Sequence, residues 1–152
     1  MNSLEDARCS AEIAARIGRV SPASPRLWGK MTAPQMLCHL SDSYLAMLGE
    51  KYISPAPGLY PRALYKRIAL RSPFKWPRGI ATRPEVNQAL GGTPPEEFES
   101  DRRRLLALVE RFTAEPPGFV FAPHPMFGAM SHGDCMRWGY LHADHHLRQF
   151  GQ

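Results

Sequence analysis

Three of the chain's six histidines fall within five residues, in the stretch GYLHADHHLRQFGQ at 139–152. His142 and His146 are four apart, so on a helix both project from one face, with a rise of about 6 Å between their Cα atoms. That spacing lets two imidazoles converge on one ion. His145 follows His142 by three and offers a second pairing, but only one of His145 and His146 needs to face the centre. A third nitrogen must come from another element. His39 is the natural supplier, set among apolar neighbours in PQMLCHLSDSYLAML (34–48). There Met36, His39, Leu40, Ser43 and Met47 share one helical face. Three imidazoles without a carboxylate or thiolate leave positions open for water or substrate, as catalytic metal sites do. The competing reading is a hydrogen-bonded core histidine at 39 and a chance HxxxH pair on an exposed helix.

Two carboxylates lie close in sequence to these histidines. Asp42, one turn beyond His39, is the candidate catalytic residue, as a proton-handling group. Asp144 sits about 200° around its helix from His142 and faces away. For both, the bland alternative is a solvated or capping side chain. Cys9, Cys38 and Cys135 are odd in number and lack CxxC spacing. They read as reduced thiols in a cytoplasmic protein, with Cys38 and Cys135 acting as small buried hydrophobes.

The elements that must position these groups read as helices. The first spans about Leu4 to Ile17, with Ser3 as N-cap and Gly18 as stop. The second opens on a capping box, Thr32 with Gln35, has Pro34 in its first turn, and runs to about Leu48 before Gly49. A short helix fits Pro61 to Leu70. The third long helix starts near Pro95 and carries Phe98, Leu105, Leu108, Val109 and Phe112 on one side, until Pro116-Pro117-Gly118 end it. The fourth runs from N-cap Ser131 to about Phe150. Between the second and third long helices, residues 50–93 are rich in proline and glycine, and strand patterns are nearly absent. The expected architecture is all-α, a four-helix bundle with one long crossover, as a single domain over 1–152. The crossover is expected to cover the mouth of the site.

Hydrophobic residues make up 43% and charged residues 22% of the 152, which fits an ordinary soluble globular protein. No apolar run is long enough for a membrane helix, and the N-terminus lacks a basic start followed by an apolar segment. The net charge of +5 raises the question of nucleic acid. Arg102, Arg103 and Arg104 are interleaved with Glu96, Glu97, Glu99 and Asp101, as on a solvated helix face. The stretch YKRIALRSPFKWPRG mixes cations with Phe74 and Trp76, a composition that can stack on bases. No nucleic-acid motif surrounds it, so the expected partner is a small-molecule substrate, with no membrane and no nucleic acid.

LWGKMTAPQMLCHLSDSY at 27–44, PFKWPRGIATRPEVNQ at 73–88 and HPMFGAMSHGDCMRWGYLHADHHLRQFG at 124–151 together resemble the DinB/YfiT-like superfamily. Within it they resemble a bacterial branch known only as a domain of unknown function, with a W-G-K-M-T-x-x-Q-M-x-x-H-L opening and an H-H-L-R-Q-F-G ending. The resemblance covers nearly the whole chain from Leu27 onward. It implies a four-helix bundle and a divalent metal, zinc or nickel, held by one histidine on the second helix and an HxxxH pair on the last. Those positions are His39, His142 and His146, which leaves His145 either to turn outward or to act as an outer partner of the ligands. The resemblance further implies a thiol-dependent S-transferase acting on a small electrophile, with a low-molecular-weight thiol as co-substrate. A metal-dependent hydrolase and a non-catalytic metal- or ligand-binding bundle are the alternatives. A homodimer is expected through the apolar surplus of PGLYPRALYKRIAL (57–70).

Overall fold

The computed structural model describes residues 1–58 and 61–152. Leu59 and Tyr60, part of the stretch expected to pair two copies, lie outside the described residues. Among those described there are five α-helices and no strand: α1 Ala7–Arg19, α2 Ala33–Met47, α3 Arg62–Arg71, α4 Phe98–Ala114 and α5 His132–Arg148. A 3-10 turn, Pro84–Val86, follows α3. Helix α1 packs on α4 and α5, α2 packs on the same two, and α3 lies against α5. One apolar cluster, from Leu4 to Phe150, fills the space between them.

Local chemistry starts α2 and α5 where the sequence suggests. The Thr32 hydroxyl accepts from the Gln35 N–H at 3.3 Å, and the Gln35 side chain accepts from the Thr32 N–H at 2.9 Å. This reciprocal box satisfies two of the N–H groups a helix start leaves orphaned. Ser131 caps α5 by accepting from the Asp134 N–H at 3.2 Å. Gly49, at φ 84°, takes the left-handed turn that ends α2.

Two starts differ from the sequence expectation. Helix α1 begins at Ala7, capped by Asp6 through the Arg8 N–H at 2.8 Å, and it runs through Gly18 to Arg19. Leu4 is drawn out of the helix because it is needed elsewhere. Its side chain is 2% exposed and its N–H donates to the Met136 carbonyl on α5. Helix α4 begins at Phe98 rather than near Pro95, because the Glu97 carboxylate captures the N–H groups of Glu99 and Ser100.

The close approach of Leu4 and Phe112 to α5 requires Gly139, and Tyr44 of α2 packs at the same point. The Tyr44 hydroxyl donates to the Gly139 carbonyl at 2.9 Å. A Cβ at 139 would lie 2.8 Å from Leu4 Cδ1 and 3.1 Å from Phe112 Cε1. This contact fixes the register of α5 against α2, and so the height at which their histidines meet. The segment expected to be an irregular crossover is anchored at several points. Trp76 Nε1 donates to the Ala69 carbonyl, Arg137 Nε to the Leu70 carbonyl, and the 3-10 turn packs on α2.

Candidate metal centre

His39 on α2 and His142 and His146 on α5 point their Nε2 atoms at one another. His142 Nε2 is 3.3 Å from His39 Nε2 and 3.1 Å from His146 Nε2. The three nitrogens lie within 4.8 Å of one another, a group that could hold a metal ion. His39 and His146 are buried and His142 is half-buried.

The outward nitrogens determine what faces inward. His39 Nδ1 is 2.7 Å from the Val86 carbonyl, which only accepts, so Nδ1 carries the hydrogen and Nε2 presents a lone pair. His146 Nδ1 is 2.7 Å from Gln149 Oε1, with the same consequence. Two of the three imidazoles have thus turned their only ring hydrogen outward. At most one hydrogen, that of His142, remains for three converging nitrogens, so lone pairs meet at the centre unless a cation does. With bonds of about 2.0–2.1 Å, two nitrogens of a tetrahedral zinc ion stand about 3.3–3.4 Å apart. The 3.3 Å edge matches that spacing and the 3.1 Å edge is slightly shorter, so the residues present fit a divalent ion.

Burial keeps these rings in the neutral, ligand-competent form. His39 is lowered by desolvation against the opposing pull of the Val86 carbonyl and Asp42. His142 is held well below its ordinary value by desolvation and then by the neighbouring His146 and His39. His146 is lowered for the same two reasons, against its bond to Gln149. A family model for the DinB superfamily matches residues 18–150. The chain belongs to the DinB superfamily. No curated protein and no solved structure matches it.

Membership explains neither His145 nor its neighbours, and the structure describes both. His145 does not join the convergent group. Its ring meets Trp28 edge-on at 4.8 Å and lies 6.2 Å from Trp76. Burial lowers it to about 4. Trp76 also leans on His142 at 6.2 Å, and Trp138 lies 5.0 Å from His142. All three tryptophans of this DinB-superfamily chain therefore pack against His142 or His145. His124 stacks on Phe127 at 4.4 Å and its Nδ1 accepts from the N–H groups of Met126 and Phe127. Burial pushes it down to about 3.

These shifts have a definite sign. A histidine whose folded pKa lies below its ordinary value of about 6.5 binds protons more readily in the unfolded chain. Stability is complete above that value and is lost as the pH falls from about 6.5 towards the folded pKa values. For metal-free protein the denaturation midpoint is expected to fall steadily between pH 7 and pH 5. A midpoint unchanged across that range would contradict neutral, buried rings.

Asp42 lies one turn beyond His39 and is fully buried. Its Oδ2 accepts from the Thr93 N–H at 2.8 Å and Gln88 Nε2 at 3.1 Å, and its Oδ1 from the Thr93 hydroxyl at 2.7 Å. Lys51 Nζ stands 3.1 Å from the same Oδ1. The carboxylate thus ties both ends of the 50–93 segment to α2. Asp144 is turned away from the histidines, paired with Arg16 at 3.0 Å and Arg148 at 2.9 Å. Cys38 and Cys135 are buried, and desolvation pushes both thiols up to about 12, as befits small core residues.

Sequence reasoning did not identify the two orienting partners. Gln149 was visible in principle, because a glutamine three residues after a helical histidine can reach back to it. Val86 offered no such signal, since it acts through its carbonyl and lies 47 residues from His39.

Proposed function

We propose that this DinB-superfamily protein is a divalent-metal-dependent enzyme, a thiol-dependent S-transferase acting on a small electrophile. Zinc or nickel is the proposed ion and a low-molecular-weight thiol the co-substrate. The observation that carries the reading is the convergence of three neutral imidazoles, two of them oriented by outer partners, with no carboxylate or thiolate among the described residues to close the shell. A bound ion of this kind lowers the pKa of a thiol and stabilises the thiolate beside an electrophile.

The chain's own residues supply the rest. The Val86 carbonyl and Gln149 hold the rings of His39 and His146 in one tautomer and one orientation. Trp76 and Trp138 pack against His142 and supply apolar surface beside the centre. The four longer helices are read as a four-helix bundle forming one domain over 1–152, with 50–93 as its crossover. Thr93 and Gln88 fasten that crossover to Asp42, so the segment over the site is positioned rather than loose.

The test loads purified, untagged protein with zinc or nickel and follows a small thiol by its thiolate absorbance, then adds an activated aryl halide. The expected result is a lowered thiol pKa and conjugation faster than free metal gives. Tight metal binding with neither effect would leave a passive binder. No change in transfer rate on His39→Ala would defeat the mechanism.

The proposal includes a homodimer and a cytoplasmic location. Leu64 and Ile68, one turn apart on α3, are each 56% exposed, and Phe74 is 81% exposed. Such a patch suits an isologous contact. Sedimentation at micromolar concentration is expected to show a dimer, and a monomer alone would remove this part of the reading.

A further inference from the structure

A cation with no ion-pair partner among the described residues stands at the outer end of the aromatic wall. Arg78 Cζ lies 4.9 Å over the centroid of Trp28, and Trp28 meets His145 edge-on at 4.8 Å. His145 in turn faces Trp76, which leans on His142. A continuous path of planar surfaces therefore runs from the histidine cluster to the Arg78 guanidinium. Arg78 is exposed and makes no ion pair among the described residues, although Arg148, near His145, is paired with Asp144.

The sequence around this path is one-sided in charge. Residues 51–84 contain eight lysines and arginines and no aspartate or glutamate. Lys51 is matched by Asp42, and Lys66 and Arg71 by Asp134. Lys75 and Arg78, which bracket Trp76, have no carboxylate within ion-pair distance among the described residues. A guanidinium stacked on an aromatic face keeps its N–H edge free, and that edge matches a carboxylate with two parallel hydrogen bonds. Stacking also pre-organises the side chain, so less rotamer freedom is lost on binding.

We infer that Arg78, with Trp28 and Trp76, forms a subsite for the carboxylate and apolar body of a small anionic substrate whose reacting end reaches the histidine cluster. This rests on the site proposed above and adds the charge class of its substrate. Arg78 is a specificity-determining residue that recognises the carboxylate, and the two indoles contact the planar or apolar portion. Neutral and cationic analogues of the same shape lack the partner that Arg78 requires.

The probe pair is benzoate and benzamide, which share a ring and differ in charge. Each is titrated into zinc-loaded protein while the indole N–H signal of Trp28 is followed by NMR, and metal content is assayed on the same samples. Hydrogen bonds to charged groups lead to an expected benzoate affinity at least about tenfold above that of benzamide. Arg78→Gln is expected to close that gap while leaving benzamide unchanged, and Arg78→Lys to keep part of it. Equal affinities in the unaltered protein, including no measurable binding by either, would overturn the inference. So would a gap that survives in Arg78→Gln, because the carboxylate would then be held elsewhere. Loss of metal content or of thiol perturbation would instead count against the enzyme reading, since Trp28 reports on the subsite whatever the metal does.

Discussion

Replacing His39 with alanine is expected to abolish retention of about one divalent ion per chain. Two imidazoles on one helix remain in that variant, and a pair without a third nitrogen holds a divalent ion far more weakly than three. His142→Ala is expected to act as severely, because its Nε2 stands between the other two at 3.3 and 3.1 Å. Gln149→Leu leaves all three donors in place and removes only the acceptor on His146 Nδ1. Loss of an orienting partner of this kind costs about 10- to 100-fold in metal affinity. His145→Ala is the matched control, because that ring packs on Trp28 outside the convergent group, and it is expected to keep full occupancy. Metal analysis after equilibrium dialysis against a graded chelator reads all four variants. Full occupancy in His39→Ala would show the ligand set to be wrong, and loss in His145→Ala would show it to be incomplete.

The legible parts of this molecule were those encoded within a few residues. Thr32 with Gln35 and Ser131 with Asp134 are local devices, and α2 and α5 start where these pairs stand. The face shared by Met36, His39 and Leu40 likewise follows from helical spacing, and all three are buried. The start of α1 was not legible, because Leu4 leaves the helix to fill a space that only the packed α5 creates. The same holds for the outer partner of His39. A carbonyl at Val86 has no side-chain signature, and its approach depends on a crossover fastened at Thr93 and Gln88. His145 illustrates the converse. Its spacing allowed it to serve as a ligand, and only the wall of Trp28 and Trp76 shows why it turns aside.

Asp42→Ala is expected to be the most destabilising single change near the site, and to weaken metal binding without touching a nitrogen. The substitution removes one buried carboxylate that receives the Thr93 N–H, the Thr93 hydroxyl, Gln88 and Lys51. Breaking a buried pair by deleting one member costs about 3–5 kcal/mol. The Lys51 side chain is 21% exposed and can turn towards water, which favours the lower end of that range. The Thr93 N–H loses its acceptor as well, and because Thr93 is half-buried the added penalty falls at the low end of the about 1–3 kcal/mol of an unsatisfied buried donor. Urea denaturation is therefore expected to show a loss of about 3 kcal/mol or more. Released from α2, the 86–93 segment no longer presses the Val86 carbonyl onto His39, so metal affinity is expected to fall by about 10- to 100-fold. Asp42→Asn separates positioning from proton handling. It keeps the shape and one acceptor oxygen but turns an amide towards Lys51, so its stability loss is expected to be smaller. If Asp42 serves to position the crossover, Asp42→Asn retains both metal and thiol transfer in proportion to its retained fold. A variant with native stability and full metal occupancy but no transfer would instead make Asp42 the group that moves the proton. A stability in Asp42→Ala equal to that of the unaltered protein would show that the crossover is held by other contacts, and that Val86 reaches His39 without it.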